Sequence, residues 1–267
     1  MGLIPQFVIP KIAFGLSGLV LVMQDFETLL KGSAEVHGHL CPGQVVGVRM
    51  AMLGCRLIGL NEPSSHDQIK KLIVYVEMDR CTADAVAHVS GVKLGRRSLK
   101  FMDYGIMAAT FVNLETDSAV RVLSTEDARD LAPLYAPEIA GKYQQQLIAY
   151  KLMPDSVLFK VQKVQVAISE FDLPGPTRRK VFCQRCGQMV RDSREVVKDN
   201  RVLCKPCADG AYYTDAREIT WPNMNWSPVS DFRAKKQQQN MPVDSEEPST
   251  SNRLGPPGTK SHREKLQ

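Results

Sequence analysis

No stretch of this 267-residue chain supplies the roughly twenty consecutive apolar residues that a membrane-crossing helix needs. The longest candidate, IAFGLSGLVLVM at residues 12–23, stops after twelve. A cleavable export signal is also missing its parts: Lys11 is the one basic residue ahead of that run, and no A-x-A pattern precedes QDFETLL. A membrane role is therefore not expected, the location is expected to be cytoplasmic, and residues 1–22 are expected to be an extension outside the fold, with Met23 as the natural start. Internal repeats and a phosphate-binding glycine loop are lacking as well, which removes solenoids and P-loop nucleotide enzymes from consideration. Histidine is scarce, with five in the whole chain, so the use of two of them in HGHLC, residues 37–41, needs a reason.

The charge is small and uneven. Residues 24–172 hold sixteen Lys and Arg against eighteen Asp and Glu, whereas residues 173–233 hold eleven against seven, so the net +5 belongs to the C-terminal third. A basic surface of that size is compatible with an acidic protein partner or nucleic acid, although a solvated face is the commoner outcome.

Hydrophobic periodicity divides the chain into helices and strands. Helices are predicted over residues 24–36, over Pro42 to about Ile58 with proline in the first turn, and in TADAVAHVSG. KKLIVYVEMD, residues 70–79, predicts a strand, and AATFVNL and SAVRVLS predict a hairpin around Glu115, Thr116 and Asp117. Further helices are predicted at about 125–132 and 137–151, the first capped by Ser124 or Thr125, and a strand at 157–168. The mixture has no regular βαβ rhythm and predicts an α+β core over residues 23–172. DLPGPTRRK marks a linker over residues 173–180, and the polar tail 234–267 can bury too little to fold.

Seven cysteines fall into two groups. C-Q-R-C at 183–186 and C-K-P-C at 204–207, seventeen residues apart, have the paired spacing of a structural zinc site. Two thiolates in each knuckle complete a tetrahedron, so Cys183, Cys186, Cys204 and Cys207 are predicted to hold Zn²⁺ in a small module over residues 181–220. Of the rest, Cys55 lies within an apolar helix and reads as a core residue. Cys41 and Cys81 stand just before predicted helices, where unpaired amides and the helix dipole favour thiolate. His37 and His39 alternate with Cys41, and neutral imidazoles beside a thiol can converge on a transition metal. Asp84, with Glu77 and Asp79, lies near Cys81 as a candidate ligand or base. In GVKLGRR, Arg96 and Arg97 are candidate anion contacts, although a tight connection between elements is the commoner use of such a stretch.

HGHLCPGQVVGVRMAMLG, then EMDRCTADAV, then SGVKLGRRSLKFMDYGIMAATF, and finally the paired CxxC module, together resemble the FmdE family, named for a component of molybdenum formylmethanofuran dehydrogenase. The resemblance covers about residues 24–213. It implies an α+β core, in many members a C-terminal zinc finger, and in some an intertwined dimer, so a homodimer is expected here. Carried onto this chain, it implies that His37, His39 and Cys41 belong to the functional cleft, with Cys81 and Asp84 nearby. One departure is Val92, where the family pattern often has cysteine; one soft ligand is thereby lost. The expectation is a metal-binding FmdE-like protein with an accessory, metal-handling or sensing role related to molybdenum or tungsten formylmethanofuran dehydrogenase systems. The alternatives are an adaptor whose basic finger, with Arg178, Arg179, Lys180, Arg185, Arg191 and Arg194, binds protein or nucleic acid, and a small metal- or thiol-dependent enzyme using the HGHLCPG site.

Overall fold

A computed structural model describes residues 25–217; the expectations for residues 1–22 and 234–267, and the last residues of the finger range, lie outside that span. The first helix, α1 (Phe26–His37), starts where the Asp25 carboxylate accepts the Thr28 amide at 3.0 Å, and it stops at Gly38, whose left-handed φ of 96° lets its amide bond the Ala34 carbonyl. The next helix, α2 (Pro42–Leu57), is the centre of the fold. It carries Val45, Val48, Met50 and Cys55 fully buried and packs against α1, α3 (Cys81–Ser90) and the sheet. The close α2–α3 crossing depends on Gly47: a Cβ there would stand 2.6 Å from the Thr82 carbonyl oxygen and 2.6 Å from the Ala85 Cβ.

The sheet has the order β2-β1-β3-β4-β5, built from β1 (Leu72–Val76), β2 (Leu99–Phe101), β3 (Ala108–Asn113), β4 (Ser118–Ser124) and β5 (Phe159–Lys163). β1 and β2 run parallel and the other neighbours antiparallel. Strand alternation turns Val74, Val76, Phe111 and Val122 towards the helices, where they join one apolar cluster with α2, and each such side chain contributes roughly 1.5–3 kcal/mol by leaving water. Ile73, Thr110, Val112, Ala119 and Arg121 lie on the other face, where Arg121 grips the buried Glu77 carboxylate through two hydrogen bonds of 2.7 Å each. A helical layer over one face of a mixed sheet is the expected α+β architecture.

Three predicted elements are placed differently. The strand expected over 157–168 opens as a short helix, α6 (Asp155–Leu158), and its pairing with β4 ends at Lys163, which faces Val120; the last bond is from the Val164 amide to the Ala119 carbonyl. Helix α5 spans Lys142–Leu152 rather than starting near 137, since Gly141 at φ 86° breaks the chain direction. Helix α4 (Asp127–Tyr135) runs past the expected end and tolerates Pro133, and Thr125 gives its hydroxyl to the Val157 carbonyl instead of capping.

The finger is built of two hairpins, β6 (Lys180–Phe182) with β7 (Met189–Arg191) and β8 (Val196–Lys198) with β9 (Arg201–Leu203), followed by a short helix, α7 (Lys205–Asp209). The described residues as far as Ala211 form one compact unit. Within it, Arg97 reaches from the core to Asp192 at 2.5 Å, Asp192 also accepts the Arg178 amide at 2.8 Å, and Lys100 donates to the Asp172 carbonyl at 2.6 Å. Arg194 completes the clasp on the Asp172 carboxylate. From Tyr212 a second unit begins, in which the Tyr212 and Tyr213 rings meet edge-on at 5.1 Å.

Candidate metal centres

In the finger, β6 delivers Cys183 to a knuckle that turns at Gly187, with φ of 69° and its amide bonded to the Cys183 carbonyl at 2.9 Å. Cys204 precedes α7, and the Cys207 amide closes back on the Cys204 carbonyl at 3.0 Å. The four sulfurs all lie within 4.8 Å of one another, and Cys186 and Cys204 stand 3.7 Å apart. Tetrahedral Zn–S bonds of about 2.3 Å require S···S spacings of about 3.8 Å, so the arrangement fits zinc. Backbone amides, that of Cys204 foremost, lower the Cys183 thiol to about 6, which prepares it to bind as thiolate. Apart from the cysteines the finger buries little, chiefly Leu203 with Val190 and Ala208 against it.

The core group is assembled where α1 ends and α2 and α3 begin. One donor atom each from His37, His39 and Cys41 lies within 4.8 Å of the other two. The His37 and His39 rings stack at a tilt, with centroids 4.7 Å apart. His37 Nδ1 meets Asp84 Oδ2 at 2.9 Å, while its Nε2 is buried and has no hydrogen-bond partner. If Nδ1–H donates to the carboxylate, Nε2 is left with its lone pair directed into the group, the arrangement that carboxylates give to metal-binding histidines. His39 is exposed and Cys41 is buried, so the group has one open side. Asp84 stands behind His37 rather than among the donors, and Cys81 borders the group through Cys41: a Cβ on Gly43 would stand 3.0 Å from the Cys81 Cβ and 3.7 Å from the Cys41 sulfur.

The expected thiolate character of Cys41 is not what its surroundings produce. Burial, and then the neighbouring Cys81, push its thiol above the ordinary value, and the amides of Gln44 and Gly43 oppose this without reversing it. A metal binding here must displace that proton, which makes binding release acid. Cys55 is sealed in the core and pushed up to about 12 by burial alone, in line with a packing role.

Two supporting residues escape a reading of the sequence. Gln44 is fully buried; it donates to the Cys81 carbonyl at 2.7 Å and accepts from the Ser33 hydroxyl, tying three helices together at the group. Tyr143 gives its hydroxyl to the Leu40 carbonyl at 3.0 Å and so pins the HGHLC loop. A glutamine immediately after CPG on an otherwise apolar helix is a usable signal; nothing in the sequence marks Tyr143. Arg97, a candidate anion contact by sequence, is occupied by Asp192.

Comparison with known proteins agrees with this division. Residues 36–163 match the family model described as FmdE, molybdenum formylmethanofuran dehydrogenase operon, and residues 175–213 match the prokaryotic dksA/traR C4-type zinc finger. A protein of Archaeoglobus fulgidus described as a probable S-adenosyl-L-methionine-binding protein is 27% identical over 200 residues, covering 69% of this chain and 53% of its own. The chain thus spans about half the length of that curated relative. A crystal structure of a tungsten formylmethanofuran dehydrogenase FmdE-like protein from Syntrophus aciditrophicus aligns with a TM-score of 0.48 at 17% identity, over 70% of this chain and 94% of that one. The chain thus combines a segment similar to the FmdE family, residues 36–163, with one similar to the dksA/traR C4-type zinc finger, residues 175–213.

Proposed function

We propose that this chain is a metal-handling or metal-sensing FmdE protein, working as an accessory to a molybdenum or tungsten formylmethanofuran dehydrogenase system, in which residues 23–172 carry the functional site and residues 181–220 a structural zinc. The observation that carries the reading is the buried, unpartnered Nε2 of His37, set by Asp84 beside His39 and Cys41. Such a nitrogen is costly unless something binds it. A transition metal held by His37, His39 and Cys41 would supply Lewis acidity or a soft-ligand exchange position on the open side. Asp84 would fix the His37 ring, Gln44 would hold the start of α3, and Tyr143 would hold the loop.

Cobalt substitution tests the reading. Full-length protein loaded with Co²⁺ should show thiolate charge-transfer absorption from the finger and a second contribution from the core. Cys41→Ser should remove only the second. A spectrum unchanged by Cys41→Ser would oppose the proposal.

The adaptor alternative has less support, because much of the finger's positive charge is used internally. Arg179 pairs with Glu195 at 2.8 Å, Arg194 with Asp172, and Arg185 donates to the Cys207 carbonyl at 3.1 Å. A second ligand reading, S-adenosyl-L-methionine in the core cleft, is favoured by the likeness to the Archaeoglobus protein, and equilibrium dialysis with the labelled compound tests it. Cytoplasmic location remains part of the proposal; among the described residues no helix is long and apolar enough to cross a membrane. So does a homodimer, supported by the exposed Phe101 on edge strand β2 and Tyr104 and Ile106 in the loop after it.

A further inference from the structure

The face of the sheet turned away from the helices carries a feature that the metal sites do not use. After Lys163 the chain leaves β5 and passes back over this face as a strap, residues 164–174. One end is tied by the Val164 amide to Ala119, and the other by Lys100 to the Asp172 carbonyl. The alternation that predicts a longer strand survives in the strap: Val164, Val166 and Ile168 are half-buried, while Gln165, Ala167 and Ser169 are exposed. Its apolar side chains therefore turn towards the sheet without filling the space beneath.

That space is a cavity of about 610 Å³. Its floor is Val112 and Ala119 and its walls are Val166, Ile168, Leu173 and Pro174. At the rim stand Lys70 and Arg178, with Asp117 as the single acid. Neither cation has an ion-pair partner among the described residues; the Arg178 backbone amide, not its side chain, serves Asp192. Small-molecule sites commonly have volumes of roughly 300–1,000 Å³ and combine apolar walls with a few convergent polar groups, and this cavity has both properties.

We propose that the strap encloses a binding site for a small amphipathic carboxylate, an aliphatic chain carrying one anionic head. The chain would lie on Val112 and Ala119 beneath Ile168 and Leu173, and the head would meet Lys70 and Arg178, whose combined charge exceeds that of Asp117. The polarity of the rim decides the class: an aliphatic ammonium would face two like charges, and a neutral alcohol would gain only the apolar contacts. Because Arg178 leads into the finger and Asp172 on the strap is held by Arg194, an occupied cavity stabilises the segment joining the two metal centres.

Calorimetric titration of the full chain with octanoate, octan-1-ol and octylammonium tests this. Octanoate should bind saturably, at least tenfold more tightly than the alcohol, and octylammonium should bind more weakly than either. Lys70→Ala with Arg178→Ala should lower octanoate affinity at least fivefold and leave the alcohol unchanged. Ile168→Trp, on the half-exposed strap, should fill the cavity and abolish binding of octanoate, and Ala119→Trp should do the same from the floor. The proposal is overturned if octanoate shows no saturable binding, if the three ligands bind alike, or if Ile168→Trp binds octanoate as wild type does.

Discussion

The two cysteine-containing centres use similar donors in opposite structural circumstances. In the finger, four sulfurs within 4.8 Å of one another are nearly all that the hairpins converge on, and the apolar cluster around them is small. In the core, the His37, His39 and Cys41 group sits at the edge of a large packed cluster that does not need it, positioned by Asp84, Gln44 and Tyr143. A closed set of four thiolates with little around it is a folding device, whereas three donors with an open side and a layer of support behind them are suited to exchange. On the proposed reading, the contrast is between a metal that would make structure and one that would do work.

The largest effect should come from opening the finger. Cys204→Ser removes one of four thiolates, and apparent zinc affinities in such modules correspond to about 10–16 kcal/mol of folding free energy. Limited proteolysis should cut between residues 181 and 211 while the core resists; full zinc occupancy with unchanged resistance would erase the contrast between the two centres.

Next in size is Gly47→Ala, a pure packing change in the core. The added methyl would press on the Thr82 backbone at 2.6 Å, and overpacking of this kind costs typically 1–3 kcal/mol. Since Thr82 follows Cys81, the same change should weaken the core centre and leave zinc in the finger; denaturant unfolding combined with metal analysis reads both.

Asp84→Ala should be milder for the fold and specific for the site. Loss of the partner that fixes His37 lowers metal affinity in comparable sites by about 10–100-fold. Competition with a chelator should show that drop, with unfolding midpoints close to wild type because Asp84 is exposed.

The smallest effect concerns the clasp joining the two regions. Asp192 is held below its ordinary value of 3.8, first by the Arg178 amide, with the Arg97 guanidinium adding to this. Asp172 is likewise lowered; burial opposes the shift, and Arg194 and Lys100 outweigh it. A depressed carboxylate contributes stability that is present above its ordinary value and is lost as pH falls through the lowered one. The finger should accordingly stay docked at neutral pH and loosen only below about pH 4. Arg97→Ala should move that loosening to higher pH, as seen by hydrogen exchange at residues 178–194.

Much of this is legible in the sequence, for reasons that differ by element. The zinc ligands are readable because knuckle spacing is local, and His37, His39 and Cys41 because they fall within five residues of one another. The role of Asp84 is not readable, since its contact with His37 spans 47 positions and depends on the α1–α3 crossing. Arg97 and Asp192 are 95 positions apart, and neither carries a local mark of the other. Strand β2 leaves no trace in the pattern because Leu99–Phe101 is too short for alternation to register and gains its order from pairing with β1. The strap reads as strand because its alternation is real; its pairing with β4 nevertheless ends at Lys163, opposite Val120, where the chain leaves the sheet edge.

Whether the core group is a metal centre in its own right is decided by metal content per chain, measured on full-length wild type and on His37→Ala after loading with Zn²⁺ and removal of excess. Two ions per wild-type chain are expected and one in His37→Ala, with the four-cysteine finger still filled. One ion per chain in both proteins would leave the core group without a metal of its own and overturn the reading.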